Sequence, residues 1–590
     1  MLPNPSLSRQ QRQRSQRTVG GGVRSFVVGS FVTLLLFGAL VPRLSFLQLS
    51  EGELNQQRAE ENRIRLIPKR PERGKILDRK GRILANSTYT YSVFVWPVAQ
   101  KDAKWPQTVK VLSDILNMPA ADIQARVEQE GQNSTSLIRV TRGLSFPQVV
   151  ALSERTSDIV GVEIDKEAIR YYPHGELAAQ VIGYIGEISE EELTRKRKQD
   201  QPYRLGDVIG QLGIEASYEQ TLRGTWGGNQ IEVDGSGRIV RILGQKLPIA
   251  GTDVQLTLDI DVQRAAEQAL GKRQGAVVAI NPKNGAILAM ASYPNFNPNW
   301  FAKGMTEQQW QELQNRKFPF VNRALQAFPP ASTFKVATAI AGLESGKYNP
   351  NSILMTYPSI HGVGDWNRAG FGAIGFQTAL QWSSNTFFGQ IGVGTTPKIL
   401  IEWAKRLGVA QKTGIDIPGE ATGFIPDPAW KKETFQDAWY PADTVMVAIG
   451  QGAVQLTPVQ VSMIFASVAN GGYKIKPHFI QSDQPDNHWR TSLHLKPQTL
   501  ATLRSGLRAV VTSGTGHVLN AASIPPAAGK SGTAEDPPRS SHTWFGAYAP
   551  FNNPEIVVVA FGENTGGGGG STAGPIALKV LEAYFQTKKK

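Results

Sequence analysis

The sequence of 590 residues contains no cysteine. This absence excludes disulfide bonds and metal sites with thiolate ligands, and it fits an exported protein. Recognisable nucleic-acid-binding motifs are also lacking, because there is neither zinc-finger spacing nor a basic strand pair rich in stacking aromatic residues. The formal charge of +14 therefore points to an anionic membrane surface or other acidic material, with no nucleic-acid partner.

Acidic residues are absent from the first 24 positions, and charges of either sign are absent from residues 25–42. The basic segment 1–24, rich in Gln, Ser and Gly, is typical of a disordered tail. Residues 25–42 are predominantly apolar and span about 27 Å as a helix at about 1.5 Å per residue, just enough to cross a bilayer. We predict a single-pass plasma-membrane anchor, with the basic tail in the cytoplasm and the remainder outside, in the periplasm.

A cleaved signal peptide is the alternative interpretation of residues 25–42. The apolar segment is long for a signal peptide, and no clear small-x-small cleavage site follows it. An uncleaved anchor is therefore favoured.

Residues 43–250 lack any arrangement that suggests catalysis. Two β-prone runs flank Lys80-Gly81 and predict a hairpin. Residues 105–160 have an amphipathic pattern that predicts helix. Arg73, Asp78, Arg79 and Glu215 are spaced for ion pairing between strands and loops. No acid/base pair or metal cluster is visible, so we predict a structural, mainly β pedestal domain.

Residues 251–590 alternate between β-prone and helical segments. Strands are predicted early and late in this region, over 254–259, 275–280, 286–291, 543–548 and 555–561, with helices over 261–270 and 573–587. This order predicts an α+β domain in which an antiparallel sheet, built from both ends of the region, is covered by helices. The five glycines from Gly566 to Gly570 predict a mobile loop.

Ser332 and Lys335 form the only Ser-x-x-Lys in the chain. Pro329 and Pro330 precede them and an apolar helical pattern follows, so Ser332 is expected at a helix start, with the Lys335 amine within reach of its hydroxyl. A desolvated lysine can act as the base that activates a serine. Taken alone, this tetrad is more typical of a solvated helix start.

Two further segments carry related chemistry. Ser383-Ser384-Asn385 falls in a break between the helical segments 376–382 and 386–392, and Lys530-Ser531-Gly532-Thr533 is flanked by glycines. A hydroxyl can relay a proton, an amide can hold a peptide, and glycines allow close approach of a ligand. Separately, each fits an ordinary helix cap or a glycine-rich turn with a solvated lysine.

Penicillin-binding proteins and class A β-lactamases share the set Ser-x-x-Lys, Ser-Asp-Asn and Lys-Thr-Gly. This sequence keeps their order, with Ser-Ser-Asn in the second place and Lys-Ser-Gly-Thr in the third. Over residues 25–587 the sequence resembles class B penicillin-binding proteins, and within them the penicillin-binding protein 2 group. The resemblance includes the stretches 73–79, 213–215, 322–324 and 449–452. It implies a β-lactamase/transpeptidase-like fold for residues 251–590.

The activity implied by the resemblance is that of a serine D-Ala-D-Ala transpeptidase, which cross-links peptidoglycan stem peptides during cell elongation and is acylated by β-lactams. The resemblance makes Ser332 the nucleophile and Lys335 its base. It gives Ser383 and Lys530 the transfer of the proton to the leaving amine, and Asn385 a contact with the peptide amide.

The same resemblance implies how the rest of the substrate is held. Lys530, Ser531 and Thr533 would meet the terminal carboxylate, and Gly532 belongs to the same binding segment. The oxyanion hole would consist of the backbone N–H groups of Ser332 and Thr533, and one such donor is typically worth about 3 kcal/mol.

Two departures from the family pattern affect cofactors and partners. Some penicillin-binding proteins 2 hold zinc with Asp, His and Cys between the first two motifs. This sequence offers only His361 and Asp365 there, so we predict no metal and no cofactor. No glycosyltransferase module precedes the pedestal, so the resemblance implies a polytopic membrane glycosyltransferase of the elongation machinery as partner.

Four alternatives use the same or related features. A division-type (septal) transpeptidase shares the motifs. A membrane-anchored β-lactamase would need a deacylating glutamate, and the nearest candidate, Glu420, lacks the expected surroundings. A β-lactam sensor would need an effector domain inside the cell, where only 24 residues are predicted. A wall scaffold without activity is disfavoured because every catalytic position is filled.

Overall fold

A computed structural model describes residues 10–46, 64–131, 137–199, 203, 206–233 and 239–588. The chain divides into two compact units, one made of Met1–Arg70 with Trp226–Pro248 and the other of Pro71–Thr225 with Ile249–Lys590. The catalytic motifs all lie in the second unit.

The strands are β1 (Ile64–Lys69), β2 (Ile76–Leu77), β3 (Ile83–Val95), β4 (Ile138–Leu144), β5 (Val162–Tyr171), β6 (Ile185–Glu187), β7 (Val208–Gly210), β8 (Gly227–Val233), β9 (Ile239–Lys246), β10 (Val254–Gln255), β11 (Gly275–Ile280), β12 (Ile287–Tyr293), β13 (Leu354–Met355), β14 (Ser359–Ile360), β15 (Val363–Gly364), β16 (Ala373–Ile374), β17 (Tyr473–Ile475), β18 (Arg490–Ser492), β19 (Ala528–Asp536), β20 (Arg539–Ala549) and β21 (Ile556–Gly562).

The helices are α1 (Gln10–Ser45), α2 (Trp105–Leu116), α3 (Ala120–Gly131), α4 (Phe146–Glu154), α5 (Ala179–Ile182), α6 (Glu190–Lys198), α7 (Gly213–Ser217), α8 (Glu219–Arg223), α9 (Ile260–Leu270), α10 (Asn299–Lys303), α11 (Glu307–Asn315), α12 (Lys335–Glu344), α13 (Phe376–Gln381), α14 (Asn385–Thr395), α15 (Pro397–Arg406), α16 (Pro428–Phe435), α17 (Pro441–Ala448), α18 (Pro458–Ala469), α19 (Pro497–Ser513) and α20 (Gly569–Thr587).

The first unit contains helix α1 and the antiparallel sheet β1-β8-β9. Residues Ser25–Ser45 of α1 are apolar and exposed, and at 21 residues they are long enough to cross a membrane. The predicted anchor is therefore extended by three residues at its end.

The expectation of a disordered tail is wrong for residues 10–24, which continue the helix, because adding residues to a helix already nucleated costs little. Residues 1–9 lie outside the described part.

The first half of the second unit is built on the sheet β10-β2-β3-β4, with β5 also paired to β3. The predicted hairpin at Lys80-Gly81 is confirmed by the antiparallel pair β2 and β3, with Gly81 at a positive φ of 78°. The prediction of helix throughout 105–160 is wrong for β4. There Ile138 and Val140 are buried in alternation with more exposed neighbours, which is the period of a strand.

Buried ion pairs join separate segments of this region. The carboxylate of Glu215 accepts from Nε of Arg73 and from Nε of Arg170, each at 2.6 Å. Asp78 pairs at 2.6 Å with Arg82, four residues away. Ion pairing of Arg73, Asp78 and Glu215 therefore agrees with the charge spacing, although the partner of Asp78 is Arg82.

The catalytic half of the unit is organised around the sheet β12-β11-β21-β20-β19, in which all neighbours are antiparallel. Strands from both ends of the region meet in it, as the sequence predicts. The predicted strands over 275–280 and 286–291 form the antiparallel pair β11 and β12, whereas the predicted strand over 254–259 is limited to the two residues of β10. Strand β19 forms one edge and contains Lys530-Ser531-Gly532-Thr533.

Both faces of this sheet are buried, which explains the continuous apolar runs of its inner strands. In β11, Val277 and Ala279 belong to a core shared with α9 and α20. The alternate residues Val278 and Ile280 belong to the larger core that includes α12 and α18. The helix that carries Lys335 therefore packs with one face of the sheet whose edge carries Lys530.

The loop predicted for the five glycines 566–570 is wrong at its end, since only residues 566–568 lie outside helix and strand. Gly569 and Gly570 are the first residues of helix α20. A Cβ atom on Gly569 would lie 2.3 Å from the carbonyl oxygen of Gly532 and 2.5 Å from that of Trp544. The absence of a side chain therefore serves close packing at this point.

Candidate active site

Ser332 lies in a short 3₁₀ turn, Ala331–Thr333, just before helix α12. Ala331 has a positive φ of 50°, and its N–H donates to the carbonyl of Gly450 at 2.8 Å. The Ser332 side chain is half-buried, and its hydroxyl has no hydrogen-bond partner within the described residues. The turn fixes the position of the serine and leaves its oxygen available.

Lys335 is the first residue of α12 and is completely buried. Its Nζ donates to Oδ1 of Asn385 at 2.6 Å, to the carbonyl of Ser383 at 2.7 Å and to Oγ of Ser383 at 3.3 Å. The expected contact between Lys335 and the Ser332 hydroxyl is not among its hydrogen bonds. The lysine instead joins the first motif to the second.

Burial lowers the pKa of Lys335 from 10.5 to about 7, and the carboxylate of Asp365 raises it in opposition. The cause is the loss of hydration, which disfavours the charged form of a lysine. The aromatic ring of Phe388, whose centroid is 5.8 Å from Nζ, forms part of these surroundings. A lysine with a pKa near neutrality provides the free amine that a general base requires.

The turn Ser383–Asn385 connects helices α13 and α14. Ser383 has a positive φ of 59°, which is uncommon for a residue with a side chain. Ser384 caps α14, its Oγ accepting from the N–H of Phe387 at 3.2 Å. Asn385 donates from Nδ2 to the carbonyl of Gly364 at 2.9 Å, so its Oδ1 faces Lys335.

The third motif lies on edge strand β19. Lys530 is fully buried and donates to the carbonyl of Ser531 at 2.9 Å. Burial, and then the nearby charge of Lys335, lower the pKa of Lys530 well below its ordinary value. Oγ of Ser531 is hydrogen-bonded to Oγ1 of Thr515 at 2.7 Å. Thr533 is exposed, and its hydroxyl accepts from the N–H of Gly569 at 3.0 Å.

Gly532 brings strand β19 against the turn that carries Ser332. A Cβ atom on Gly532 would lie 3.2 Å from the carbonyl oxygen of Pro330 and 3.2 Å from Cγ2 of Thr333. Such a contact is tight, so glycine permits the two backbones to come together. The N–H groups predicted to form the oxyanion hole, those of Ser332 and Thr533, lie on these two adjacent segments.

The structure thus brings Lys335, Ser383 and Asn385 into direct contact and places the other predicted residues on neighbouring segments. Two residues of the site were not identified from the sequence. Gly450 receives the hydrogen bond from Ala331, although its stretch was noted, and Asp365 was considered only as a metal ligand. Nothing in the local sequence around Asp365 indicates the contacts described below.

Possible metal ligands and the β-lactamase alternative were also compared with the structure. Within the described ranges, no group of three or more His, Asp or Glu side chains has the arrangement of a metal site. Asp365 accepts hydrogen bonds from Ser384 and Thr386. Glu420 accepts from the N–H of Thr413 at 2.8 Å, which gives it a role in its own loop.

Two protein families match the chain. The family described as the penicillin binding protein transpeptidase domain matches residues 275–582. The family described as the penicillin-binding protein dimerisation domain matches residues 68–256.

Curated relatives match over almost the full length. The peptidoglycan D,D-transpeptidase MrdA of Acinetobacter baumannii is 33% identical, and the alignment covers 98% of this chain and 89% of the relative. The protein of the same name from Escherichia coli K12 is 32% identical over 95% of this chain and 94% of its own length.

Solved structures agree with these matches. The complex of penicillin-binding protein PBP2 and MreC from Helicobacter pylori contains a chain that superposes with a TM-score of 0.78 at 26% identity, over 89% of this chain and 99% of that one. A peptidoglycan synthase complex, described as coordinating polymerisation and crosslinking, gives a TM-score of 0.71 at 32% identity, over 95% and 98%.

Proposed function

The chain belongs to the penicillin-binding protein transpeptidase family, and on this premise we propose how its residues perform the reaction. The protein is a peptidoglycan D,D-transpeptidase that cross-links stem peptides during cell elongation. The observation that carries our assignment of roles is the buried Lys335, which contacts Ser383 and Asn385 and lies three residues after the open hydroxyl of Ser332.

In the acylation step, Lys335 in its neutral form takes the proton of Ser332. Oγ of Ser332 then forms an ester bond to the carbonyl carbon of the penultimate D-alanine, and the peptide bond to the terminal D-alanine breaks. Hydrogen bonds of an unliganded site often tighten only when substrate binds, so the missing bond between Lys335 and Ser332 is compatible with this role.

The leaving amine needs a proton, and two groups adjoin Lys335 to transfer it. Oγ of Ser383 lies 3.3 Å from Nζ of Lys335. Burial, and then the charge of Lys335, lower the pKa of Lys530, so the charge of one amine influences the protonation of the other. We assign to Ser383 and Lys530 the passage of the proton to the departing D-alanine.

The remaining motif residues hold the peptide. Asn385 contacts the substrate amide, and Lys530, Ser531 and Thr533 bind the terminal carboxylate along the edge strand, with Gly532 allowing the close approach. The N–H groups of Ser332 and Thr533 stabilise the oxyanion, each worth about 3 kcal/mol. The amine of a neighbouring stem peptide then attacks the ester carbonyl carbon and forms the new peptide bond. The ester bond to Oγ of Ser332 breaks, and a proton from the attacking amine returns to Oγ through Lys335.

Acylation by a β-lactam tests this assignment, because the same serine attacks the strained ring. The purified full-length protein is treated with a fluorescent penicillin, digested and analysed by mass spectrometry. The adduct is expected on the peptide that contains Ser332, and the Ser332→Ala variant is expected to remain unlabelled. A wild-type adduct on another residue would overturn the assignment of the nucleophile.

The catalytic half acts outside the cytoplasm, anchored by residues 25–45. This proposal is supported by the apolar helix and by the basic segment before it. We further propose a polytopic membrane glycosyltransferase as partner, which is supported by the likeness to a chain of a complex that combines polymerisation with crosslinking. Copurification of such an enzyme with the tagged full-length chain would test the partnership.

A further inference from the structure

Asp365 presents a nearly buried carboxylate, 8% exposed, to the start of helix α14. Its Oδ2 accepts from Oγ of Ser384 at 2.7 Å, from Oγ1 of Thr386 at 3.0 Å and from the N–H of Thr386 at 3.1 Å. Its Oδ1 accepts from the N–H of Trp366 at 2.9 Å. Within the described residues it makes no ion pair, so these hydrogen bonds and the helix N-terminus stabilise the charge.

Asp365 contacts the same turn, Ser383–Asn385, whose residues accept hydrogen bonds from the Lys335 amine. Ser384 and Thr386 are held by Asp365, and the residues beside Ser384, namely Ser383 and Asn385, supply all three hydrogen-bond acceptors of Lys335. Ser383 has a positive φ of 59°. Such a conformation persists only where the surrounding contacts impose it.

The charged groups around Lys335 come from two elements. Asp365, on the segment after β15, is the negative one, and Lys530, on β19, is the positive one. The other neighbours, Ser383, Asn385 and Phe388, are neutral. Asp365 is therefore the group whose charge favours the ammonium form of Lys335.

We propose that Asp365 is a positioning residue of the transpeptidase, which holds the turn Ser383–Asn385 against Lys335 and balances the charge of the catalytic lysine. The proposal rests on the proposed function, in which Lys335 is the base. It predicts two separable effects, one from the geometry of the three hydrogen bonds and one from the negative charge.

The Asp365→Asn variant removes the charge and keeps most of the geometry. The amide oxygen can occupy the place of Oδ2 and accept the same three hydrogen bonds, whereas Nδ2 cannot accept the fourth, from the N–H of Trp366. Without the carboxylate, the Lys335 ammonium loses its stabilising charge and releases its proton more easily. The midpoint of the acid side of the pH profile for penicillin acylation should therefore move to lower pH, and the rate above that midpoint should fall less than in Asp365→Ala.

The Asp365→Ala variant removes the geometry as well. A displacement of about 1 Å in a catalytic segment can cost about 10²-fold in rate, and we expect a loss of that order in acylation. Ser384→Ala keeps the charge and removes the hydrogen bond to Asp365 together with the cap bond from the N–H of Phe387, so it should slow acylation without moving the midpoint.

Asp416→Asn is the matched control. The carboxylate of Asp416 accepts three hydrogen bonds, compared with four for Asp365, from the N–H of Phe479 at 2.8 Å, the N–H of Ile480 at 3.0 Å and the hydroxyl of Tyr218 at 2.9 Å. It does not belong to the groups that influence Lys335. Its replacement should leave the pH midpoint at the wild-type value.

The experiment measures the acylation rate with a fluorescent penicillin across pH for the full-length wild type and these variants, together with their thermal unfolding. If the wild type itself is not labelled at Ser332, the proposed function fails. If the wild type is labelled and the Asp365→Asn midpoint is unchanged, only the present inference is overturned. If Asp365→Asn does not fold, Asp365→Glu is used in its place, because it keeps the charge and changes the geometry. Slower acylation at an unchanged pH midpoint supports the inference, and acylation at the wild-type rate refutes it.

Discussion

At the scale of single residues, the chemistry depends on the amine of Lys335, which is buried where its charged form is poorly solvated. Lys335 is buried, and the acceptors of its amine are a carbonyl, a hydroxyl and an amide oxygen. Burial outweighs the opposing carboxylate of Asp365, so the pKa falls to about 7. The lysine can therefore give up its proton at neutral pH, which an exposed lysine does only rarely.

The first prediction concerns this proton. Acylation by penicillin should fall as the pH drops through about 7, because the protonated amine of Lys335 cannot accept the serine proton. Lys335→Arg should abolish labelling almost as completely as Ser332→Ala, since arginine keeps its charge, and the two changes combined should cost little more than either alone. Lys335→Met keeps the length and the apolar packing of the side chain but has no amine, so it tests the loss of the amine without a change in packing. Substantial labelling of Lys335→Arg in a gel assay would disprove the role as base.

A second prediction concerns the contact between Gly450 and the serine turn. Gly450 has a φ of 70°, and a Cβ atom there would lie 2.3 Å from the carbonyl oxygen of Ala331. Gly450→Ala should therefore displace the Ser332 turn and slow acylation, besides the backbone cost of about 1–2 kcal/mol. Gly452→Ala is the control, because Gly452 has a φ of 67° but its nearest atom would be 3.6 Å away. Equal acylation rates in the two variants would contradict the steric explanation.

At the scale of elements, the sequence identifies the apolar strands well and the edge strand β19 poorly. The inner strands β11 and β21 are uninterrupted apolar runs because both faces of the sheet are covered, and β12, at the opposite edge from β19, is apolar from Ile287 to Ala291. Strand β19 contains Gly529, Ser531 and Gly532, which have low strand propensity, and tertiary pairing with β20 overrides it. Strand β4 was assigned to helix because its alternation is short and lies between amphipathic helices.

In the candidate site too, some residues can be predicted from the sequence and others cannot. Ser332, Lys335, Ser383, Asn385 and Lys530 could be named from their motifs, since each motif is local. The contacts of Asp365 and Gly450 could not, because they join segments about 20 to 120 residues apart, and local spacing carries no information on such pairs. The start of helix α20 at Gly569 and Gly570 could not be predicted for the same reason, because the neighbours of Gly569 come from β19 and β20.

The third prediction tests how helix α20 is seated against the edge strand. Gly569→Ala should push the helix start away from Gly532 and Trp544, break the hydrogen bond from the Gly569 N–H to Thr533, and slow acylation. Gly568→Ala is the control, since the nearest atom to its Cβ would be the Ser571 hydroxyl at an ordinary 3.4 Å. Acylation rates and melting temperatures of both variants decide the matter, and identical behaviour would count against this packing role.

At the scale of the whole molecule, distant segments of the second unit are joined by buried charges. Glu215 is fully buried and receives Arg73 and Arg170. Burial raises the pKa of Glu215. The charges of Arg170 and then Arg73 lower this pKa by more than burial raises it, so the net shift is downward. The sign follows from linkage: stability from this group is complete above the ordinary pKa of 4.5 and is lost as the pH falls through the lower folded value.

The fourth prediction follows from that network. Glu215→Ala leaves the buried guanidinium of Arg170 without its carboxylate partner and Arg73 with Glu219 alone, and it should lower the free energy of unfolding by about 3–5 kcal/mol. Glu187→Ala is the comparison, because its exposed carboxylate also pairs with two arginines, Arg139 and Arg142, and exposed pairs contribute about 0–1 kcal/mol. Denaturant unfolding of both variants measures the difference, and a similar small loss in each would refute the structural role of Glu215.

A fifth prediction concerns orientation in the membrane. Protease added to intact spheroplasts should degrade the chain after residue 46 and leave a membrane-bound fragment that retains an N-terminal tag, because the basic segment before the apolar helix favours the cytoplasm. A cytoplasmic marker enzyme serves as the control for leakage. Survival of the catalytic half until the cells are lysed would show the opposite orientation.

The position of β19 at the edge of its sheet has a consequence for inhibition. An edge strand has one side on which no neighbouring strand pairs with its backbone, and an extended peptide can add there as one more strand. Recognition of this kind reads main-chain geometry and is largely indifferent to side-chain identity. A rigid, non-reactive mimic of an extended backbone could therefore compete for the site without opening a lactam ring, and enzymes that destroy such rings would offer no protection against it.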